Sequence, residues 1–267
     1  MKKSRLIPVL LLRNGWLVQS KQFKRYQNLG NPIIAVKRLS EWASDELIYL
    51  DISDEDSHDL RRDDLAHPNR HSFLEIIEDV SRVAQMPITV GGRIRTLEDI
   101  EKRLSLGADK VAVNTIAIES PKFIESAANE FGSQCIVVSM DVKKQADGTD
   151  LVVGRGGKQF TGHAPGHWAK IVEQSGAGEI LLNSVDRDGM RNGYDLDLLD
   201  SVAGAVRIPV IACGGVGEWS HLVEALQQTG VDAVAAANIF HFSDQSVYMA
   251  KKYLFERGLN VRCPDLI

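Results

Sequence analysis

The chain has 267 residues, 44% of them hydrophobic and 25% charged, which is the balance of an ordinary globular protein. A formal net charge of −5 gives no general electrostatic support to a nucleic-acid partner, and no apolar run approaches the ~18 residues of a membrane span. The apolar run 6–12 lacks a small-residue cleavage site, and three cysteines make no disulfide framework. We therefore expect a cytoplasmic protein that binds neither nucleic acid nor membrane.

Short apolar runs alternate with longer amphipathic stretches along the chain. The runs predict strands at Arg5–Leu12, Glu46–Ile52, Pro87–Val90, Lys110–Asn114, Cys135–Asp141, Glu179–Val185, Pro209–Ala212 and Asp232–Ala237. The stretches predict helices at Pro32–Ala43, Ser72–Ala84, Leu97–Leu106, Pro121–Phe131, Ala164–Ser175, Leu196–Val206, Trp219–Gln228 and Asp244–Glu256. Strict alternation of strand and helix implies a parallel sheet, and the length suits a (βα)8 barrel, which needs about 250 residues.

The second half of the chain repeats motifs of the first. Gly91–Gly92 is echoed by Gly214–Gly215, and Gly107–Val111 by Gly230–Val234, both at a spacing of 123 residues. We predict one α/β domain, a (βα)8 TIM barrel built from two duplicated half-barrels at about 1–131 and 132–257, with a short tail, 258–267. The open doubly wound sheet is the alternative, but no GxGxxG follows the first strand.

Each Gly-Gly pair directly follows a predicted strand, where backbone N–H groups can approach a phosphate closely. We expect Gly91–Gly92 to lie beside Asn114–Thr115, and Gly214–Gly215 beside Asn238. Barrels commonly bind phosphate after strands 7 and 8, and the repeat predicts a second site across the mouth. The inferred ligand carries a phosphate at each end.

Two predicted connections from strand to helix are long, 14–31 and 53–71. Long loops of this kind in a barrel usually belong to the active face. The second contains a run of charged residues, Asp54, Glu55, Asp56, Arg61, Arg62, Asp63 and Asp64. That run could equally be a solvated loop.

Polar side chains lie where predicted strands end, which is where barrels place catalytic groups. They are Asp51, Asn114, Asp141, Asn183 and Asp186. Asp141 follows an apolar run, so burial should raise the pKa of its carboxyl group and suit it to acid–base chemistry. The alternative is a carboxylate that only hydrogen-bonds loop backbone.

Four charged residues lie at or near the starts of predicted strands, on the opposite face of the barrel. Arg5, Glu46, Lys110 and Glu179 alternate in sign and sum to zero. They could form an ion-paired ring across the bottom opening. Because residues on this face normally serve stability, a purely structural plug is the alternative.

The motifs in chain order resemble one family. They are Leu50–Asp51–Ile52, Thr89–Gly92, Gly107–Val111, Phe131–Val138, Gly176–Leu182, Asp186–Gly189, Gly214–Gly217 and Ile239–Phe242. Over residues 5 to about 260 the chain resembles the cyclase subunit of imidazole glycerol phosphate synthase, a lyase in histidine biosynthesis.

The resemblance implies a duplicated barrel that forms a heterodimer with a glutaminase subunit and uses no metal or other cofactor. Ammonia from glutamine would cross the barrel to a bisphosphorylated substrate. Arg5, Glu46, Lys110 and Glu179 match the ammonia-gate charges of the family, and Asp109 matches a residue at the glutaminase interface.

The chain departs from the family on the catalytic face. The family uses two catalytic aspartates; Asp141 matches one, and Leu11 stands at the position of the other. Leucine cannot exchange a proton. Four further substitutions lie on this face, with Gln19 for a lysine, Arg93 for a glycine, Asn183 for a threonine and Asn238 for a serine.

Two functions are therefore open. The chain is similar to family variants linked to surface-polysaccharide (O-antigen) synthesis, in which the barrel delivers ammonia and a separate ATP-dependent amidotransferase converts an acetamido sugar into an acetamidino sugar. The alternative is a true cyclase, forming imidazole glycerol phosphate and aminoimidazole-carboxamide ribonucleotide, with Asp141 acting alone or with Asp51.

Overall fold

A computed structural model describes residues 3–53, 58, 63–64, 67–241 and 246–264. Eight parallel strands form the barrel: β1 (Arg5–Arg13), β4 (Leu47–Asp51), β7 (Ile88–Gly91), β8 (Lys110–Val113), β9 (Ile136–Lys144), β12 (Glu179–Ser184), β13 (Val210–Cys213) and β14 (Ala233–Ala236). Each pairs with its neighbour in that order, and β14 pairs with β1. The sheet is therefore closed, which confirms the predicted (βα)8 barrel.

Helices surround the barrel: α1 (Pro32–Glu41), α2 (Phe73–Val83), α3 (Leu97–Ser105), α4 (Thr115–Glu119), α5 (Pro121–Phe131), α6 (Pro165–Gln174), α7 (Leu196–Ala203), α8 (Trp219–Gln228) and α9 (Val247–Glu256). Two short 3₁₀ turns span Ser133–Cys135 and Asn238–His241. Local sequence defines several helix starts, as at α3, where Thr96 and Asp99 form a reciprocal capping box. In the described part of the chain, no helix has the length and apolar composition of a membrane span.

Three loops that follow barrel strands contain short strands that the hydrophobic pattern did not predict. The first loop forms the hairpin of β2 (Trp16–Lys21) and β3 (Arg25–Gly30). The second contains β5 (Asp63–Asp64) and β6 (His67–Pro68), and the fifth contains β10 (Asp150–Gly154) and β11 (Gln159–Phe160). The other residues of the charged run lie outside the described residues: Asp54, Glu55, Asp56, Arg61 and Arg62. So do Phe242 and Asp244, the residue at which the last helix was predicted to start.

Apolar side chains form one core inside the barrel and another between the barrel and its helices. Along β1, Leu6, Leu10 and Leu12 belong to the outer core. Ile7, Val9 and Leu11 belong to the inner core, together with Ile48, Val137, Leu181 and Ile211. This period of two is what a strand requires when both of its faces are buried.

The strand registers correct the alignment of the two halves by one residue. Thr89 pairs with Lys110, and Ile211 pairs with Ala233. If Lys110 and Ala233 are equivalent, then Gly91 corresponds to Cys213, so our pairing of Gly91 with Gly214 was wrong.

Backbone geometry agrees with this register. Gly92 and Arg93 have φ of +105° and +57°, and Gly214 and Gly215 have +93° and +107°. Gly92–Arg93 therefore corresponds to Gly214–Gly215, and Arg93 adopts a left-handed conformation that glycine supplies in the other half. The two Gly-Gly pairs look equivalent in the sequence, but they occupy strand positions that differ by one residue. The half-barrel boundaries at 1–131 and 132–257 stay a prediction.

Candidate functional site: the mouth and floor of the barrel

A cavity of about 770 Å³ opens at the carboxyl ends of the strands. This is the face on which (βα)8 barrels place their active sites. The polar residues that line it include Asp51, Ser53, Arg93, Arg95, Asn114, Thr115, Asp141, Arg155, Lys158, Asn183 and Asp188. The structure therefore brings Asp51, Asn114, Asp141 and Asn183 together, as the strand-end pattern predicted.

Asp141 is buried in the wall of this cavity. Its carboxylate accepts hydrogen bonds from Asn114 Nδ2 at 3.0 Å and from Asn183 Nδ2 at 3.3 Å. Burial raises the pKa of Asp141 to about 7, aided by the nearby Asp188 charge and opposed by the two amide donors. The carboxyl group can therefore exchange a proton near neutral pH. The strand does not end at Asp141, because pairing with β10 continues β9 to Lys144.

Leu11 lines the same cavity from β1 and offers no titratable group beside Asp141. Two other carboxylates, those of Asp51 and Asp188, line the cavity. Asp51 accepts hydrogen bonds from the backbone N–H of Ser53 at 3.0 Å and from the Ser53 hydroxyl group. Asp188 accepts one from Ser20 Oγ at 2.7 Å, and burial raises the pKa of Asp188. The strand-end pattern does not predict Asp188, although this residue lies within the Asp186–Gly189 motif.

At the carboxyl ends of β7 and β8, Gly92, Asn114 and Thr115 line the cavity. Gly91 is not among the lining residues, and a Cβ atom on it would lie 2.6 Å from the Leu50 side chain. A Cβ atom on Gly92 would lie 2.2 Å from the Asp51 carbonyl oxygen, so only glycine fits there. Arg93 Nη1 donates to the Ser53 carbonyl at 3.2 Å and also lines the cavity. The turn after β7 therefore contains an arginine, and its binding of an anion stays a prediction.

At the carboxyl ends of β13 and β14, Gly214, Gly215 and Asn238 are not among the residues that line this cavity. Asn238 Nδ2 donates to the Ser20 carbonyl at 2.7 Å, and the Gly193 N–H donates to the Gly215 carbonyl at 2.9 Å. Asn238 and Gly215 therefore make these polar contacts within the chain, and a phosphate site here stays a prediction.

Asp186 also makes its contact within the chain. Its Oδ2 atom accepts a hydrogen bond from the backbone N–H of Lys144 at 2.7 Å, and it does not line the cavity. The ligand-binding roles of Asp186 and of the glycine turns stay predictions.

At the floor of the barrel, Arg5, Glu46, Lys110 and Glu179 form a closed ring of ion pairs. Arg5 Nη1 lies 2.6 Å from Glu46 Oε1, and Arg5 Nη2 contacts Glu179 Oε1. Lys110 Nζ lies 3.1 Å from Glu46 Oε2 and 3.0 Å from Glu179 Oε2. Each cation bridges both carboxylates, so the four side chains close the opening at the amino ends of the strands.

The ring favours the charged forms of Arg5 and Glu46. Burial alone would lower the pKa of Arg5, but hydrogen bonds and attraction from the two glutamates raise it above its ordinary value. Burial alone would raise the pKa of Glu46, but Arg5 and Lys110 lower it. Arg5 and Glu46 therefore stay charged at neutral pH.

Asp109 lies on the same face as the ring and is exposed. Its Oδ2 atom accepts a hydrogen bond from the backbone N–H of Ile88 at 2.8 Å. Asp232 makes the same bond to Val210 in the second half, at 3.2 Å. Asp109 thus has a structural role in the fold, and its predicted place in a glutaminase interface stays a prediction.

A closed parallel barrel with a polar cavity at the carboxyl ends of its strands is the architecture of a (βα)8-barrel enzyme. The sequence model of one family, described as histidine biosynthesis protein, matches residues 5–246, which include all eight barrel strands. The chain belongs to this family, which confirms a barrel of the histidine-biosynthesis type. The finer resemblance to the cyclase subunit stays a prediction.

Proposed function

We propose that this protein receives ammonia from a glutaminase subunit at the barrel floor and delivers it to the mouth. There a separate ATP-dependent amidotransferase would use it to amidinate a sugar for surface-polysaccharide (O-antigen) synthesis. The observation that carries the proposal is the contrast between the two faces. The four-charge ring has the residues of an ammonia gate, whereas Leu11 stands where cyclisation needs a carboxylate.

The interior above the ring supports passage of a neutral molecule. Ile7, Ile48, Val137 and Ile211 pack there in the inner core. Such a wall disfavours ammonium, which would lose its hydration, but not uncharged ammonia. Ion pairs of this kind contribute little net stability, since desolvation offsets most of their attraction. A role in gating gives a reason for four charges at the floor.

The amidination itself would take place outside this chain. Converting an acetamido group into an acetamidino group replaces the amide oxygen by nitrogen. ATP would activate that oxygen as a leaving group, and ammonia would supply the nitrogen. Under this proposal the barrel contributes containment and delivery, and the amidotransferase contributes the condensation.

A true cyclase is the second candidate, and the cavity carboxylates favour it. Asp141 has a pKa of about 7, and Asp51 and Asp188 line the same cavity. One of these could supply the second acid–base group that Leu11 lacks. Neither carboxylate occupies the position of Leu11, however. Each already accepts a hydrogen bond, Asp51 from Ser53 and Asp188 from Ser20.

Complementation separates the two candidates. A histidine auxotroph that lacks its own cyclase subunit is transformed with this gene or with an ordinary cyclase gene as the positive control. We expect no growth without histidine, and growth at the control rate would establish the cyclase instead. Delivery is tested with amide-¹⁵N glutamine, the glutaminase, the amidotransferase and the acetamido sugar. The label should reach the product only when this barrel is present.

A further inference from the structure

We infer that Lys251 is a positioning residue for the ion-paired ring at the barrel floor, and that it acts through Asp45. The two side chains form a buried ion pair beside the ring. Its consequence for ammonia rests on the proposed function, whereas the geometry of the ring can be measured without a partner subunit.

Lys251 reaches Asp45 from the helix that covers this side of the barrel. It lies on α9, and its side chain is 1% exposed, against 9% for Asp45. Lys251 Nζ lies 2.5 Å from Asp45 Oδ1 and donates to the Ala43 carbonyl oxygen at 3.0 Å. A buried pair adds little net stability, but removal of one partner leaves an uncompensated charge. Lys251 therefore holds the Asp45 carboxylate in one place.

Asp45 joins the two chain segments that carry Arg5 and Glu46. Asp45 directly precedes Glu46, and Leu6 directly follows Arg5. The second carboxylate oxygen, Asp45 Oδ2, accepts a hydrogen bond from the Leu6 N–H at 2.9 Å. The Asp45 N–H donates in return to the Leu6 carbonyl oxygen at 3.4 Å. One side chain therefore fixes the spacing between the backbones of two ring residues.

This junction lies beyond the regular pairing of the two strands. The printed register of β1 and β4 begins at Val9 and Ile48, and three residues nearer the floor it would place Leu6 opposite Asp45. The backbone contact there is long, and hydrogen bonds weaken at such a distance. The Asp45 side chain thus supplies the shorter bond where the strand ladder no longer does.

A second ring residue is preceded by an aspartate that makes the same kind of bond. Asp109 precedes Lys110 and accepts a hydrogen bond from the Ile88 N–H. Asp109 is exposed, however, whereas Asp45 is held by a buried ammonium group. Lys251 therefore adds a fixed anchor on the side of the ring where Arg5 meets Glu46.

The contact between Arg5 and Glu46 depends on that anchor. Arg5 Nη1 lies 2.6 Å from Glu46 Oε1, and the two residues lie on different strands. If the Asp45 carboxylate turned away from the Leu6 N–H, the two backbones could separate and this contact would lengthen. Lys251 thus acts on the ring without touching any of its four members.

Hydrogen exchange of the Arg5 guanidinium tests the inference on the full chain labelled with ¹⁵N-arginine, with the signal assigned by Arg5→Lys. These protons must leave their acceptors before they exchange, so Lys251→Met should accelerate exchange at least about tenfold. Adding Asp45→Asn to Lys251→Met should restore the rate to within about twofold of wild type, because the amide oxygen can accept the Leu6 N–H and no charge stays unpaired.

Leu254→Ala is the matched control, because it removes a fully buried apolar side chain from the same helix. It should destabilise the packing of α9 but leave Arg5 exchange within about twofold of wild type. If Lys251→Met does not fold, Asp45→Ala combined with Lys251→Met takes its place. That variant buries no unpaired charge and lacks the acceptor for Leu6, so it should show the same acceleration.

Unchanged exchange in Lys251→Met would overturn the inference. Equal acceleration in Leu254→Ala would overturn it too, as would a failure of Asp45→Asn to restore the rate. In the complex with the glutaminase and the amidotransferase, Lys251→Met should also raise the ratio of glutamate released to amidated product at least about twofold.

The two measurements separate this inference from the proposed function. Faster Arg5 exchange with an unchanged ratio would keep Lys251 as a positioning residue and contradict the gating of ammonia. Unchanged exchange, in a chain that still delivers labelled nitrogen, would remove Lys251 from the device and leave ammonia delivery in place.

Discussion

Asp141 and Asn183 lie directly opposite each other in the parallel register of β9 and β12, and the Asn183 amide donates to the Asp141 carboxylate over 3.3 Å. Asn114 supplies the second donor from the other side. Two neutral amides do not compensate the desolvation of this carboxylate, which is why its pKa lies near 7. Asp141 is therefore a group whose charge depends on pH in the neutral range.

Asp141 should make the fold less stable as the pH rises. The pKa of its carboxyl group is about 7 in the folded protein, whereas the ordinary pKa of an aspartate is 3.8. The folded state thus holds a proton that the unfolded state has released, and stability falls between about pH 4 and pH 7. Asp141→Asn should remove this loss and gain on the order of 1–3 kcal/mol relative to wild type between pH 5 and pH 8. Urea unfolding at both pH values measures it.

Asp51→Asn is the matched control, because Asp51 lines the same cavity but keeps two donors from Ser53. The same pH dependence in both variants would show that the effect does not belong to Asp141. A difference between Asp141→Asn and wild type that is the same at pH 5 and pH 8 would show that Asp141 stays ionised throughout.

Much of the barrel could be predicted from the sequence, because buried parallel strands and their covering helices have strong periodic patterns. The prediction failed where a strand forms through pairing with a neighbour and not through its own hydrophobic pattern. Residues Arg25–Gly30 carry no apolar alternation, yet they form β3 because Trp16–Lys21 offers a partner edge. Local hydrophobicity does not encode such pairing.

The candidate site was likewise only partly predictable from the sequence. Strand-end position was enough to place Asp51, Asn114, Asp141 and Asn183 around one cavity. Sequence could not show that Asn238 would bond to the Ser20 carbonyl, since 218 residues separate them. Nor could it show the one-residue register difference between the halves, which depends on strand pairing.

Leu11 should leave the chain unable to cyclise the histidine-pathway intermediate. With ammonium salt as nitrogen source, the purified wild-type chain should give negligible turnover, because loss of one acid–base partner typically costs orders of magnitude in rate. Leu11→Asp should restore only trace activity, since Gln19, Arg93 and Asn238 also differ from the family. The assay follows formation of imidazole glycerol phosphate. A wild-type rate comparable to that of ordinary cyclase subunits would contradict a role in delivery alone.

Arg93 should fill the phosphate turn after β7 rather than strengthen it. Its φ of +57° places the side chain where the other half has Gly215, and its guanidinium is held by the Ser53 carbonyl. Phosphate soaked into wild-type crystals should therefore not reach the backbone N–H groups of Gly91–Gly92, whereas Arg93→Gly should admit it. A phosphate found bidentate on Arg93 and also on those N–H groups would show that the arginine strengthens the site.

Lys110→Ala should destabilise the fold and should also uncouple glutamine hydrolysis from nitrogen transfer to the product. Removing Lys110 leaves Glu46 and Glu179 with Arg5 as their only partner in the ring, which should cost about 1–3 kcal/mol. If the ring gates ammonia, the mutant complex should still hydrolyse glutamine but transfer less nitrogen to product. Added ammonium should restore product formation, because it bypasses the floor. The measured quantity is the ratio of glutamate released to amidated product.

Lys144→Ala is the control, because it breaks a single exposed pair with Asp150 on the opposite face. Such a pair is worth about 0–1 kcal/mol, so stability should change little and the ratio should stay at its wild-type value. The decisive comparison uses Lys110→Ala protein that is still folded and still bound to the glutaminase. If its ratio also matches wild type, the four charges only close the barrel floor, and ammonia does not pass through them.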